Sequence, residues 1–160
     1  MAHMIDETTG RPAIAYAGDT PWHKLGRRMT DNERTNIAAA LKLAGLEWTV
    51  QAIGLRYAPD GNTGTPAANT VPDAQGIIRT DTRAYLGTVG SGYTPIQNAD
   101  AADVLQPLVA IHGCTVEVAA SLDGGRRAFA LVKMPDATIQ PVPGDDVRGY
   151  ILVKWAHDGT

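Results

Sequence analysis

The sequence has one cysteine, one phenylalanine and no long apolar run, and two of these scarcities exclude a class of protein. Charged side chains make up 19% of the 160 residues and aromatic side chains 6%. The single cysteine, Cys114, cannot form an internal disulfide, which excludes a disulfide-stapled secreted fold. No apolar run approaches the roughly 20 residues that span a bilayer. The opening residues also lack the basic and apolar regions of a secretory signal. These absences predict a cytoplasmic protein that does not contact a membrane.

Neither sign of charge is in large excess, since the net charge is −3. This value argues against a protein that coats DNA through overall basicity. The cations nevertheless occur in pairs, at Arg27-Arg28 and at Arg126-Arg127. A local basic surface on an acidic protein is therefore possible, because binding depends on where the cations lie.

Hydrophobic periodicity and turn residues predict an α+β fold. Residues 1–30, interrupted by glycine and proline, form an extended arm, and residues 31–160 form the α+β domain. Helices are predicted at 32–46, capped by Asn32 or Thr35, and at 98–111, with a kink or early end at Pro107. Strands are predicted at 47–57 (with a bulge at Gly54), 75–80, 83–89, 115–121, 126–134 and 148–156, with loops at 58–74 and 135–146. The result is a curved antiparallel sheet of about five to seven strands with two main helices on one face.

Catalytic signatures are missing from the sequence. The four histidines show no metal-ligand spacing, and no G-x-S-x-G or phosphate-binding glycine motif occurs. The sequence therefore predicts no catalytic residue, no metal site and no cofactor. A metal-dependent hydrolase ranks third among the hypotheses, because no pair of carboxylates is singled out.

The segment PWHKLGRR, residues 21–28, combines an aromatic ring with several cations. Aromatic faces beside cations are typical of proteins that bind single strands, since bases stack on the rings and phosphates contact the cations. Alternatively, Trp22 is a hydrophobic anchor that fastens the arm to the domain or to a neighbouring subunit, and the arginines form a solvated rim. The nucleic-acid hypothesis also expects Trp22 to fasten this segment, so that its cations align with Arg126 and Arg127. The predicted nucleic-acid contacts are Trp22, Lys24, Arg27, Arg28, Arg79, Arg83, Tyr85, Arg126 and Arg127.

Several longer stretches resemble a known family. They are MAHMIDETTGRPAIAYAGDTPWHKLG (1–26), AGLEW (44–48), SGYTPIQNADAADVLQPLV (91–109), SLDGGRRAFALVKM (121–134) and HDGT (157–160). Together they resemble the phage/plasmid-like proteins that carry a large domain of unknown function. Members of that family are about twice as long, so the resemblance implies that these residues are the N-terminal part of a longer protein.

The predicted layout is more remotely similar to the ring-forming single-strand annealing recombinases. That resemblance implies single-stranded DNA held in an electropositive groove around a homo-oligomer, with no cofactor. Arg126, Arg127, Lys24, Arg27 and Arg28 would be the groove cations. The sequence thus predicts a non-enzymatic, annealing-like DNA-binding protein of recombination or replication. The alternative is a protein-interaction module, such as a phage-encoded inhibitor of host defence or a structural component.

Overall fold

The computed structural model describes residues 4–59 and 69–160. In this part of the chain, the α-helices are α1 (Asp31–Arg34), α2 (Ile37–Leu43) and α3 (Asn98–His112). A 3-10 turn, η1, covers Asp123–Gly125. The strands are β1 (Ile14–Tyr16), β2 (Arg27–Arg28), β3 (Val50–Tyr57), β4 (Asn69–Arg79), β5 (Tyr85–Gly90), β6 (Thr115–Leu122), β7 (Arg127–Val142) and β8 (Asp145–Ala156).

The strands form two sheets. One has five strands in the order β2-β1-β6-β7-β8, and the other has three in the order β3-β4-β5. All neighbouring strands pair antiparallel except β1 and β2. The α+β class with two main helices, α2 and α3, is therefore confirmed. The described residues contain one strand more than the predicted upper number, because the arm adds β1 and β2 to the sheet.

The helices cover one face of the five-stranded sheet. Ala40 and Leu41 of α2 and Leu105 of α3 share a core with Ala130 and Trp155 of the sheet. α2 lies over β1 and β6, and α3 reaches Trp155, whose Nε1 donates to Asn98 Oδ1 at 2.9 Å. A second, smaller core lies within the three-stranded sheet and contains Trp48, Val50, Ile77, Leu86 and Val89.

The N-terminal arm is an integral part of the sheet. β1 lies between β2 and β6, and Ile14, Ala15 and Tyr16 are all buried. Gly26 has a φ of +94°, and a Cβ there would lie 2.5 Å from Ile14 Cγ2. Glycine at this position therefore allows the chain to turn and pass directly over Ile14. Backbone pairing and Ile14 burial fasten the arm.

The first predicted helix is divided in two. Thr30 caps α1 and Asn36 caps α2, where its side chain accepts from Ala39 N at 3.1 Å. The predicted caps at Asn32 and Thr35 are wrong, because the side chains that accept from the first turns of α1 and α2 are those of Thr30 and Asn36. α3 continues through Pro107 to His112, so the predicted early end is also wrong.

Two predicted loops contain strand. Residues 69–74 belong to β4, whereas 60–68 of the same predicted loop lie outside the described residues, and most of 135–146 belongs to β7 and β8. Pro135 and Pro141 lie inside the register shifts of β7 at 133–138 and 139–142. Proline lacks an N–H donor and fits such irregular intervals, so it did not end the strand. The predicted bulge at Gly54 is confirmed by the register shift between Gly54 and Arg56.

Across residues 4–59 and 69–160, no helix combines the length and the apolar character that crossing a membrane requires.

Candidate nucleic-acid interface

The five-stranded sheet has one face covered by the helices and one face on the opposite side. Alternation of side chains along β7 and β8 shows which residues lie on each face. Ala128, Ala130 and Val132 point into the helical core, as do Val153 and Trp155. Successive side chains of a strand point to opposite faces, so the intervening residues lie on the other side. With the strand registers, the residues on this side, here called the open face, are Ile14, Tyr16, Arg28, Val118, Ala120, Leu122, Arg127, Phe129, Leu131, Lys133, Asp146, Arg148, Tyr150, Leu152 and Lys154. Ile14, Tyr16 and Ala120 are buried, so the face is exposed mainly along β7 and β8.

The open face carries two groups of cations with apolar side chains between them. Arg127 and Lys154 lie near one end of the β6–β7 pairing, and Lys133 lies at its other end, near Arg148 of β8. Lys133 is six positions along β7 from Arg127, which corresponds to about 20 Å. The partly exposed side chains between these ends are Phe129, Leu131, Tyr150 and Leu152. This pattern places phosphate-binding groups around a surface on which bases could stack.

Arg28 joins the same face from the far side of the sheet. Its register partner is Tyr16, which pairs with Val118, and Val118 pairs in turn with Leu131. Arg28 is therefore three strands from β7, about 14 Å across the sheet, and about 13 Å along it from Arg127. The two predicted arginine pairs thus each contribute one residue to one face.

The PWHKLGRR segment begins in a turn on this side of the molecule. Lys24 N donates to Pro21 O at 2.9 Å, and Leu25 N donates to His23 Nδ1 at 3.0 Å. The loop that contains this turn, residues 17–26, meets the open face, because Tyr16 Oη lies 3.4 Å from Thr20 Oγ1 and Gly26 packs on Ile14.

Trp22 is not buried against the domain. Its side chain is 74% exposed, and its ring contacts that of His23 edge-on at 5.5 Å. The expectation that a Trp22 buried on the domain fastens the arm and aligns its cations with Arg126 and Arg127 is therefore wrong. Ile14, Tyr16 and Met29 supply the buried contacts instead. Trp22 is accessible beside the exposed Lys24, as a stacking ring must be.

Arg79 is excluded from any surface contact, because its side chain is 1% exposed. It forms a buried ion pair with Asp6 and donates to both Asp81 carboxylate oxygens at 2.8 and 3.0 Å. Its guanidinium carbon also lies 4.3 Å from the centre of the Trp48 ring. The predicted DNA contact at Arg79 is therefore wrong. Its guanidinium is buried, and its N–H groups are already bound to the carboxylates of Asp6 and Asp81.

The remaining predicted residues lie elsewhere. Arg27 pairs with Ala15 and so points to the helix side. There, hydrogen bonds from Thr30 to the Glu33 carboxylate lower the pKa of Glu33, and the charge of Arg27 contributes to the same shift. Arg126 Nε donates to Leu86 O at 3.0 Å, at the junction of the two sheets. Arg83 and Tyr85 are exposed but belong to the turn before β5 and to β5 itself.

Two cavities mark the ends of the open face. One, of about 380 Å³, is lined in part by Arg127, Phe129 and Lys154. The other, of about 490 Å³, is lined in part by Lys133 and Arg148, together with Arg34. Each end also holds a carboxylate. Asp158 Oδ2 lies 3.8 Å from Arg127 Nε, and Asp146 Oδ1 accepts from Gln140 Nε2 at 2.6 Å.

Sequence reasoning missed Phe129, Lys133, Arg148, Tyr150 and Lys154 as members of this site. The signal was the alternation of β8, in which Arg148, Tyr150 and Lys154 are separated by one or three residues and therefore share a face. Without the position of the helices, the sequence does not show which of the two faces is open.

Comparison with known proteins gave one family match, which covers the second half of the chain approximately. Residues 85–160 match the family model described as Domain of unknown function (DUF932). The matching stretch contains α3, β7 and β8 and therefore the larger part of the open face. The resemblance to a family with a domain of unknown function is confirmed over these residues. Neither the curated proteins nor the solved structures gave a match.

Proposed function

We propose that this protein binds single-stranded DNA on its open face, as a non-enzymatic, annealing-like protein of phage or plasmid type. It would act in recombination or replication in the cytoplasm of a bacterial host. One observation carries the proposal. Five cations of the described residues, Arg28, Arg127, Lys133, Arg148 and Lys154, share one sheet face, although the chain as a whole has a net charge of −3.

The arrangement favours a single strand over a duplex. A duplex presents its phosphates on the outside and its bases inside, so it offers nothing to the apolar centre of the face. A single strand can place phosphates on Arg127 and Lys154 while its bases lie against Phe129 and Tyr150. Stacking of a base on an aromatic ring contributes about 1–3 kcal/mol and tolerates any sequence.

Removing two cations from the open face should weaken DNA binding. We expect Arg127→Ala with Lys133→Ala to lower the affinity for a labelled oligothymidylate roughly tenfold at moderate salt, because two phosphate contacts are lost. The slope of log K against log salt should become shallower by about 1.4, which is the change for two contacts to a single strand. Fluorescence anisotropy titrations over a range of salt concentrations measure both quantities.

The chain offers a matched control on the helix side. Arg27→Ala with Lys42→Ala removes the same charge from exposed positions that face away from the open face. This control should bind with nearly unchanged affinity and salt slope. Equal losses in both double variants would show a non-local charge effect and would contradict the proposed site. A wild-type protein that does not bind oligothymidylate would contradict the function and favour the protein-interaction module.

A further inference from the structure

β8 is the terminal strand of the five-stranded sheet among the described residues. It is 12 residues long, and β7 occupies one of its sides. No strand of the described residues pairs with the other side, whose backbone N–H and C=O groups can therefore act as a template for another strand. Leu152, 52% exposed, and Tyr150 flank this edge on the open face. A long strand edge with exposed apolar side chains is the feature that native proteins usually cover.

A second apolar feature lies along the same edge, on the helix side. Val104 and Ile111 of α3 are 69% and 75% exposed, and Leu108 between them is partly buried. Their spacing puts them on one stripe of the helix. The opposite flank of α3 contacts α2, since Gln106 Oε1 accepts from Ile37 N. The α3 stripe (Val104, Leu108, Ile111) therefore points away from α2, and Leu108 and Ile111 line a cavity with Ile151 of β8.

We infer that β8 pairs with β8 of a second copy of this chain, antiparallel across a twofold axis, with the α3 stripes packed beside it. Charge complementarity identifies the partner and the register. With Tyr150 opposite Tyr150 of the second copy, Asp146 faces Lys154 of that copy, and Lys154 faces its Asp146. Opposite charges and aromatic pairs at directly opposed positions stabilise antiparallel pairing.

A neighbouring register is less favourable. A shift that places Ile151 opposite its own copy brings Arg148 against Lys154, and like charges at opposed positions destabilise a pair. Lysine on an edge strand normally discourages pairing, but in the inferred register each Lys154 meets a carboxylate. Self-complementarity of this kind is what a closed twofold interface requires, because each contact occurs twice.

The pairing would join two five-stranded sheets into one of ten strands. Both open faces would then lie on the same side, and the cations of β8 would lie at the centre of a surface twice as wide. Pairing itself does not depend on nucleic acid, so it is tested with the protein alone. Its failure therefore leaves the proposed DNA binding to be judged by its own titration.

Charge reversal tests both the surface and the register. Light scattering coupled to size exclusion should give the wild type twice the chain mass of 16.9 kDa. We expect Asp146→Lys to give the mass of a monomer, because it opposes two lysines, and Lys154→Asp to do the same with two aspartates. The double variant, Asp146→Lys with Lys154→Asp, should recover the dimer mass. Circular dichroism verifies that each variant is folded.

The α3 stripe is tested separately with a matched control on the same helix. Ile111→Glu should lower the dimer fraction, whereas Ala110→Glu, exposed on the α2 flank, should leave it unchanged. A monomeric wild type would overturn the inference. So would a dimer that resists Asp146→Lys and Ile111→Glu, since it would form through another surface. Failure of the double reversal to recover the dimer would overturn the register.

Discussion

Replacing Arg79 by methionine should lower the free energy of unfolding by about 3–5 kcal/mol, because the Asp6 carboxylate would remain buried without its cation. In the native protein, burial raises the pKa of Asp6, but hydrogen bonds from Thr8 and the charge of Arg79 outweigh it and hold the pKa below 3.8. Arg79 also contacts Thr8 Oγ1 at 3.1 Å and Gly124 O at 3.4 Å. One side chain thus joins the N-terminal segment, β4 and the turn after β6.

Urea unfolding at neutral pH measures this effect, and a thermal melt should show a decrease of roughly 10 °C. Arg83→Met is the matched control, since Arg83 is exposed four residues away, and it should change stability by less than about 0.5 kcal/mol. Adding Asp6→Asn to Arg79→Met should recover part of the loss by removing the unpaired charge. A nearly neutral Arg79→Met would show that the buried pair does not connect these three segments.

Stability should also fall as the pH decreases from about 6.5 to 4, by about 3 kcal/mol in total, because of His157. Burial lowers the pKa of His157 from 6.5 to about 4, and the nearby charge of Arg79 acts in the same direction. Above pH 6.5 the imidazole is neutral in both states and contributes no pH dependence. Below it the unfolded chain binds a proton that the native protein does not, so the native state loses stability until the pH reaches about 4.

The native contacts of His157 place the proton of its neutral ring on Nε2. Its Nε2 lies 3.1 Å from Asn98 Oδ1, and the Asn98 amide donates to Trp48 O at 3.1 Å, which identifies Oδ1 as the acceptor. The His157 ring also meets Trp48 edge-on at 5.1 Å. His157 therefore belongs to a buried network between the two sheets.

His157→Gln removes the titrating group and keeps a donor for Asn98. Urea unfolding midpoints at several pH values should be nearly flat between pH 6.5 and 4 in this variant, apart from its lower overall stability. Asp6 does not confuse the comparison, because its contribution is lost only as the pH falls below 3.8 toward its lowered pKa. A wild-type profile that matches that of His157→Gln would show that the buried imidazole is not the origin of the pH dependence.

Local patterns in the sequence predicted the elements whose signals are local. The hairpin of β6 and β7 was evident from alternating apolar residues around Asp123-Gly124-Gly125, and α3 from its helical periodicity. The ends of β4 and β7 were missed because prolines there were interpreted as loop residues. In the structure, Pro135 and Pro141 occupy register shifts, where the missing N–H costs no ladder bond.

The candidate site depended on contacts that are distant in sequence. Arg79 has no local sign of burial, since its partner Asp6 is 73 residues away. Trp22 is a large apolar residue and was therefore a candidate for a buried anchor. The arm is instead attached to the sheet by the backbone pairing of β1 with β6. Arg28 and Arg127 reach the same face through the registers of four strands, which no local pattern determines.

Photo-cross-linking tests most directly whether the open face contacts single-stranded DNA. An oligonucleotide containing bromodeoxyuridine is irradiated with the wild-type protein, and the modified peptides are identified by mass spectrometry. We expect cross-links on β7 and β8, at Phe129 and Tyr150, and on the loop that carries Trp22. Cross-links confined to α1 and α2, or to the three-stranded sheet around Tyr85, would contradict it.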